Sequence, residues 1–215
     1  FFVNTDRANA QIASFYPGAM AYASQLSLHQ LSNNRPDLVV ISPNDPQAMI
    51  QYVQECQSLN LPYIYDPSQQ IVRLDAEDLR AGIRHAFGLF VNDYESALIE
   101  KMTGWDIGQV LEINPHIMVV ITRGEHGADI FTMNGLFSVP VVTPQEIVDP
   151  TGVGDAFRGG FLTGLSHGLD LPQCGRLGAL AATYCLEKRG PQGHSFTQGE
   201  FLTRYGGLFD DSAKL

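Results

Sequence analysis

Between residues 149 and 155 the chain reads Asp-Pro-Thr-Gly-Val-Gly-Asp, and Ala-Phe-Arg-Gly-Gly-Phe continues it to Phe161. Gly152 and Gly154 free the backbone for conformations that other residues avoid, so successive N–H groups can point into one concavity. A helix starting here adds its unpaired first-turn N–H groups and the positive end of its dipole. The result is an anion site, and phosphate is the usual anion. Asp155 is then out of place electrostatically, unless it takes a proton from a hydroxyl that attacks the phosphate. The plainer alternative makes Asp155 the N-cap of the helix. Two preceding glycines and a second carboxylate at Asp149 weigh against a cap alone. The chain contains no G-x-x-x-x-G-K-[ST] sequence, and Phe157 stands where a G-x-G-x-x-G fingerprint needs its third glycine.

Three further clusters carry polar chemistry. Asn92-Asp-Tyr-Glu95 opens a helical pattern, where Asn with an acidic residue three positions on forms a capping box. Thr122-Arg123-Gly124, with Gly127 after it, ends an apolar strand, and its ordinary reading is a turn. Arg123 is either a charge for an anion or a solvated strand-end arginine, and His126 reads as a surface residue. Asp66-Pro-Ser-Gln-Gln70, followed by Arg73, reads as a turn with solvent-facing amides. The histidines at 29, 85, 116, 126, 167 and 194 share no spacing suited to zinc.

These clusters sit on an alternation of short β-rich runs and longer helical patterns, the signal of a parallel sheet covered by helices. Strands are expected at Leu38–Ile41, Tyr63–Tyr65, Gly88–Val91 and Ile117–Thr122. Ala128–Thr132 and Leu136–Val142 form a hairpin about Met133-Asn134-Gly135, and the opening Phe-Phe-Val reads as part of a strand. Helices are expected at Pro46–Leu59, Asp75–His85, Asp93–Thr103, Asp155–Gly168, Pro172–Glu187 and Thr197–Phe209. In the helix after the glycine loop, Phe157, Phe161 and Leu165 recur at spacing four beside Gly160 and Gly164, which gives one apolar, closely packing face. Ligands of open parallel sheets bind outside the carboxyl ends of the strands, where all these clusters fall.

The 215 residues suit one α/β domain, with 44% hydrophobic and 17% charged residues. A net charge of −10, from 13 basic and 23 acidic residues, disfavours nucleic-acid binding. Cys56, Cys174 and Cys185 are odd in number and form no C-x-x-C pair, which fits a reduced, cytoplasmic protein. No apolar run reaches the roughly 18 residues of a membrane span.

The run from Asp149 to Leu162 resembles the C-terminal signature of the ribokinase/PfkB family of sugar and nucleoside kinases. Within that family the chain looks most like the bacterial adenosine kinases. The matching segments are Phe15-Tyr-Pro-Gly-Ala-Met20, Asp66-Pro-Ser-Gln-Gln70, Asn92-Asp-Tyr-Glu95, Thr103-Gly-Trp105 and the glycine loop. The resemblance implies a ribokinase-like three-layer αβα fold with a mostly parallel central sheet flanked by helices. It also implies one domain over residues 1–215 that lacks the N-terminal strands and substrate lid of its relatives.

The resemblance further implies ATP and Mg²⁺ as cofactors and phosphorylation of a small-molecule hydroxyl, first of all the 5′-hydroxyl of adenosine. Asp155 would be the base, with the amides of Gly152, Val153 and Gly154 on the transferring phosphoryl group. Asn92 and Glu95 would order Mg²⁺, largely through water, while Thr122, Arg123, Gly124 and Gly127 would lie by the ATP phosphates. Gln69, Gln70 and Arg73 fall on the nucleoside side, where amides offer a purine both donor and acceptor. Asp149 and Thr151 resemble positions that bind a monovalent cation such as K⁺. The later loop Gly190-Pro-Gln-Gly-His194 closes that site, with His194 where relatives often carry a small hydroxyl residue. Family members commonly pair through the lid, so a homodimer is expected and a membrane partner is not. Two alternatives stay open: a PfkB kinase for ribose, fructose or another nucleoside, and a noncatalytic nucleotide-binding module.

Overall fold

A computed structural model describes residues 2–5, 11–31, 35–210 and 213; Phe1 of the expected opening strand lies outside them. Six strands form one sheet in the order β3-β4-β5-β6-β7-β8, namely Val39–Ile41, Tyr63–Tyr65, Gly88–Asn92, Met118–Thr122, Ala128–Thr132 and Gly135–Val139. This is the ribokinase-like α/β architecture, a mostly parallel sheet flanked by helices. Contacts divide the chain into two compact units, residues 1–120 and 121–215.

In the first unit, β3, β4 and β5 run parallel. Tyr63, Ile64, Tyr65, Leu89, Phe90 and Val91 are all nearly inaccessible, as strands covered on both faces must be. The helices are α1 (Pro46–Ser58), α2 (Ala76–Arg84), α3 (Asp93–Thr103) and α4 (Ile107–Ile113). Asp45, Asp75, Asn92 and Asp106 cap them in that order. The expected pattern omits α4, although Asp106 and Gln109 write its capping box plainly. Thr103-Gly104-Trp105 proves to be a helix terminator: Gly104 takes φ +74 and Thr103 Oγ1 accepts the Trp105 N–H. A separate antiparallel pair, β1 (Phe2–Thr5) and β2 (Gln11–Ser14), precedes these elements.

In the second unit, β7 and β8 form the expected hairpin. The strand expected to reach Val142 stops at Val139, because Pro140 has no N–H for the ladder. Helix α5 (Val153–Ser166) lies against α6 (Leu171–Leu186), and α7 (Gln198–Gly206) follows. A Cβ on Gly160 would stand 2.6 Å from the Leu177 carbonyl oxygen, so the α5–α6 approach requires glycine there. Phe157 and Phe161 are buried as the spacing implies, and Leu165 is half-buried. Among the described residues no helix is long and apolar enough to cross a membrane.

Candidate active site

The glycine loop enters α5 two residues earlier than the pattern implies. Gly152 is the N-cap, at φ +83, and Asp155 is the third helical residue. Asp155 therefore does not cap this helix. No side chain caps α5, whereas a side-chain oxygen caps each of the six other α-helices among the described residues. Of its first-turn N–H groups, that of Val153 makes a long bond of 3.4 Å to the Pro150 carbonyl oxygen, which leaves those of Gly154 and Asp155 for an anion. The Asp155 side chain is 84% exposed, and Arg158 Nη1 lies 3.4 Å from its Oδ1. Gly152 also abuts Pro191, where a Cβ would collide with the proline ring.

Asp149 anchors the loop. One carboxylate oxygen accepts the Thr151 N–H and the other the Gly190 N–H, both at 2.9 Å. These bonds hold its carboxyl below the ordinary aspartate range, the Thr151 N–H contributing most, then the Thr151 hydroxyl and the Gly190 N–H. The Cys185 thiol lies below, 3.5 Å from the Thr151 carbonyl oxygen and 3.8 Å from that of Pro191. Burial raises its pKa, so it is a thiol and a weak donor there. The Asp149 carboxylate and these two carbonyls are hard oxygen donors, a set that suits a K⁺-sized cation.

In the first unit the structure joins two of the polar clusters at the carboxyl ends of β4 and β5. Asn92 Oδ1 accepts the Glu95 N–H at 2.8 Å, and Glu95 Oε2 accepts the Asn92 N–H at 2.9 Å. Ser68 Oγ, 27 residues away in sequence, lies 3.0 Å from Glu95 Oε1 as a donor. Ser68 holds φ +40, rare for a residue with a side chain. Each oxygen of the buried Glu95 carboxylate thus has one fixed bond and lone pairs to spare, which fits water-mediated binding of Mg²⁺. Residues Ser68–Arg73 form a 3-10 turn in which Gln69 and Arg73 are exposed. Gln70, expected to face solvent, is buried, and its Oε1 accepts from Arg73 Nη1 at 3.3 Å.

The Thr122–Gly127 turn belongs to the second unit. Arg123 pairs with Asp129 on β7 at 2.9 Å, so its guanidinium already has an anion, and Ser138 donates to the same aspartate. Gly127, at φ +81, lies against the Val139 carbonyl oxygen where a Cβ would collide, which makes it a packing glycine. Gly124, at φ +54, faces open space that a ligand can approach.

The second unit also contains a cavity of about 470 Å³, absent from the sequence reading. Gly159, Gly160 and Thr163 of α5, with His167, His194 and Phe196, contribute to its wall. Phe196 packs against Tyr184 with ring centres 4.6 Å apart and the planes tilted by 40°, and it stacks loosely with the His194 ring at 6.1 Å. A flat aromatic group fits such a wall. The sequence hint was faint: two histidines and aromatic residues scattered over some thirty positions, on no common period. Arg158 and Ser68 were missed as well, the first a single cation in an apolar helix and the second hidden in a turn.

Taken by units, one part holds a buried, pre-oriented carboxylate beside a polar turn. The other holds an uncapped helix start, an exposed carboxylate, a guanidinium and an aromatic-walled cavity. An acid-base group beside an anion site can serve phosphoryl transfer.

Comparison with known proteins agrees with this chemistry. Residues 1–197 match the family described as pfkB family carbohydrate kinase. A nucleoside kinase of Methanocaldococcus jannaschii is 30% identical over 191 residues, which cover 89% of this chain and 61% of that relative. The chain therefore spans under two thirds of that protein's length. The solved structure of Burkholderia thailandensis nucleoside kinase in complex with inosine superposes with TM-score 0.92 and 36% identity, covering 98% of this chain and 70% of the other. The same enzyme in complex with ADP-inosine gives TM-score 0.91 at 36% identity, covering 99% and 65%.

Proposed function

Because this chain belongs to the pfkB family of carbohydrate kinases, we propose that it transfers the γ-phosphoryl group of ATP to the 5′-hydroxyl of a nucleoside, with adenosine, converted to AMP, as the leading acceptor. One observation carries the reading: α5 starts without a side-chain cap and presents an exposed carboxylate, Asp155, on its first turn. A phosphate satisfies those N–H groups, and a carboxylate next to it has a use only when a proton must be removed.

In this reading Asp155 accepts the proton of the attacking hydroxyl. The amides of Gly152, Val153 and Gly154 stabilise charge on the transferring group, in an orientation set before the reaction by the Asp149 bonds to Thr151 and Gly190. Mg²⁺, when bound, would neutralise charge on the ATP phosphates, with Glu95 holding its water shell. K⁺ would be held by Asp149 and the Thr151 carbonyl, and its charge would favour an anion in the loop. Thr122 and Gly124 lie by the donor phosphates, and the aromatic-walled cavity takes the donor's base. Gln69 and Arg73 read the acceptor, with Gln70 orienting Arg73 from below. Purine acceptors are favoured because the Burkholderia thailandensis enzyme was solved with inosine.

The test is a panel of acceptors. ATP consumption by the intact protein is measured with adenosine, inosine, cytidine, ribose and fructose, with Mg²⁺, in potassium and in tetramethylammonium buffers. Adenosine is expected to give the highest kcat/KM, and potassium the faster rate. A preference for ribose or fructose would replace nucleoside by sugar, and ATP binding with no transfer to any acceptor would leave a noncatalytic module.

A further inference from the structure

Arg158 stands one helical turn beyond Asp155 on α5, and its chemistry is not used by the backbone anion loop. Its Nη1 lies 3.4 Å from Asp155 Oδ1 and 2.9 Å from where a Cβ on Gly154 would be. The guanidinium thus lies over the loop's second glycine, and a side chain at 154 would displace it. The two partners differ in setting: the Arg158 side chain is 20% exposed and that of Asp155 is 84% exposed. A covered arginine is held in place by its packing, while its carboxylate neighbour is open to solvent and to substrate. The contact is long and its carboxylate partner is open to water, so the pair is weakly held. A stronger anion can therefore take the guanidinium from Asp155, and a phosphoryl group offers the geometry it binds best.

We propose that Arg158 is a catalytic residue, paired with Asp155 at rest and with the transferring phosphoryl group during the reaction, an assignment that rests on the kinase reading above. The acceptor oxygen forms a bond to the γ-phosphorus, and the bond to the β–γ bridging oxygen breaks with its electron pair leaving on ADP. The hydroxyl proton passes to Asp155. The carboxylate loses its charge in that step, which weakens its hold on Arg158 as negative charge shifts among the phosphates. One guanidinium thus serves as counter-ion first to the base and then to the phosphoryl group.

The test compares Arg158→Gln and Arg158→Lys with wild type in the intact protein, using the best acceptor of the panel and recording melting temperature alongside. Arg158→Gln is expected to lower kcat by about 100-fold, within the range seen when one charge-stabilising donor is removed, with KM for the acceptor little changed. Arg158→Lys, which keeps the charge and loses the fork, should recover part of that loss. A kcat within about tenfold of wild type in a normally melting Arg158→Gln protein overturns the proposal. If that variant melts early, Arg158→Lys decides: a kcat above that of Arg158→Gln supports the role, and equal losses overturn it. If wild type phosphorylates nothing, the kinase reading fails by itself. Arg158 is then judged on ATP and ADP affinities by calorimetry, where a loss selective for ATP supports a γ-phosphoryl contact and equal losses overturn it.

Discussion

Ser68 Oγ lies 3.0 Å from Glu95 Oε1, and Ser68 adopts φ +40. The turn that follows β4 is thereby tied to the carboxylate proposed to order Mg²⁺, at the expense of a strained backbone. Ser68 Oγ also lies 2.9 Å from Gln69 Oε1, so the one hydroxyl stands between the polar turn and the carboxylate. This relationship separates hydrogen bonding from strain. Ser68→Ala removes the bond and keeps the strain, at a cost of about 1–2 kcal/mol. Ser68→Gly removes the bond and relieves the strain, so it is expected to be about 1 kcal/mol more stable than Ser68→Ala. Urea unfolding of both proteins checks the order, and a less stable glycine variant would refute the account.

Asp155→Asn keeps size and polarity and removes the base. Since Asp155 caps nothing and is 84% exposed, stability should stay within about 0.5 kcal/mol of wild type. Turnover should fall by about 10³-fold, in the range of a lost general base. Retention of most turnover in steady-state assays would remove Asp155 from the mechanism.

Two glycines of one turn should respond differently to alanine. Gly127→Ala meets both φ +81 and the Val139 carbonyl, so a loss of about 3 kcal/mol or more is expected. Gly124→Ala meets φ +54 but open space, and should cost about 1 kcal/mol. If Gly124 approaches the donor phosphates, its substitution raises KM for ATP beyond what the small stability change explains. Thermal unfolding together with ATP titration separates the two effects.

Acid should weaken the second unit through Glu187. Its carboxylate accepts two bonds from Arg204, at 2.7 and 2.8 Å, and one from the Gln145 N–H at 2.7 Å. Arg204 is the chief cause holding Glu187 below the ordinary glutamate range. A depressed folded-state pKa contributes stability that is present above the unfolded value, about 4.3. That contribution is lost as pH falls from there through the lower folded value. Arg204 keeps its proton throughout. The melting temperature of wild type should therefore drop below about pH 5, and Glu187→Gln should start lower and drop less steeply. Parallel profiles for the two proteins would contradict this.

The sequence was most legible where partners are near neighbours. Asn92 and Glu95, or Asp149 and Thr151, lie within one turn of chain, so residue type and spacing already specify their hydrogen bonds. The same holds for the strand–helix alternation and the Asn134-Gly135 hairpin. It fails for α4, a seven-residue helix too short for apolar periodicity to stand out, although its cap is written in Asp106 and Gln109.

By itself, then, the sequence determined the family, the alternation of strands and helices apart from α4, and the glycine loop that leads into α5, because these rest on local backbone geometry and short-range caps. The tertiary structure decided whether each polar side chain is free for a ligand or occupied. Arg123 turned out to be paired with Asp129, Gln70 to be buried, and Asp155 to be exposed and not capping. It also brought Ser68 to Glu95 across 27 residues and laid Arg158 over Gly154. The reason is physical: occupancy depends on which groups distant segments bring within about 3 Å, and hydrophobic burial, which is non-directional, selects that packing without leaving a period in the sequence.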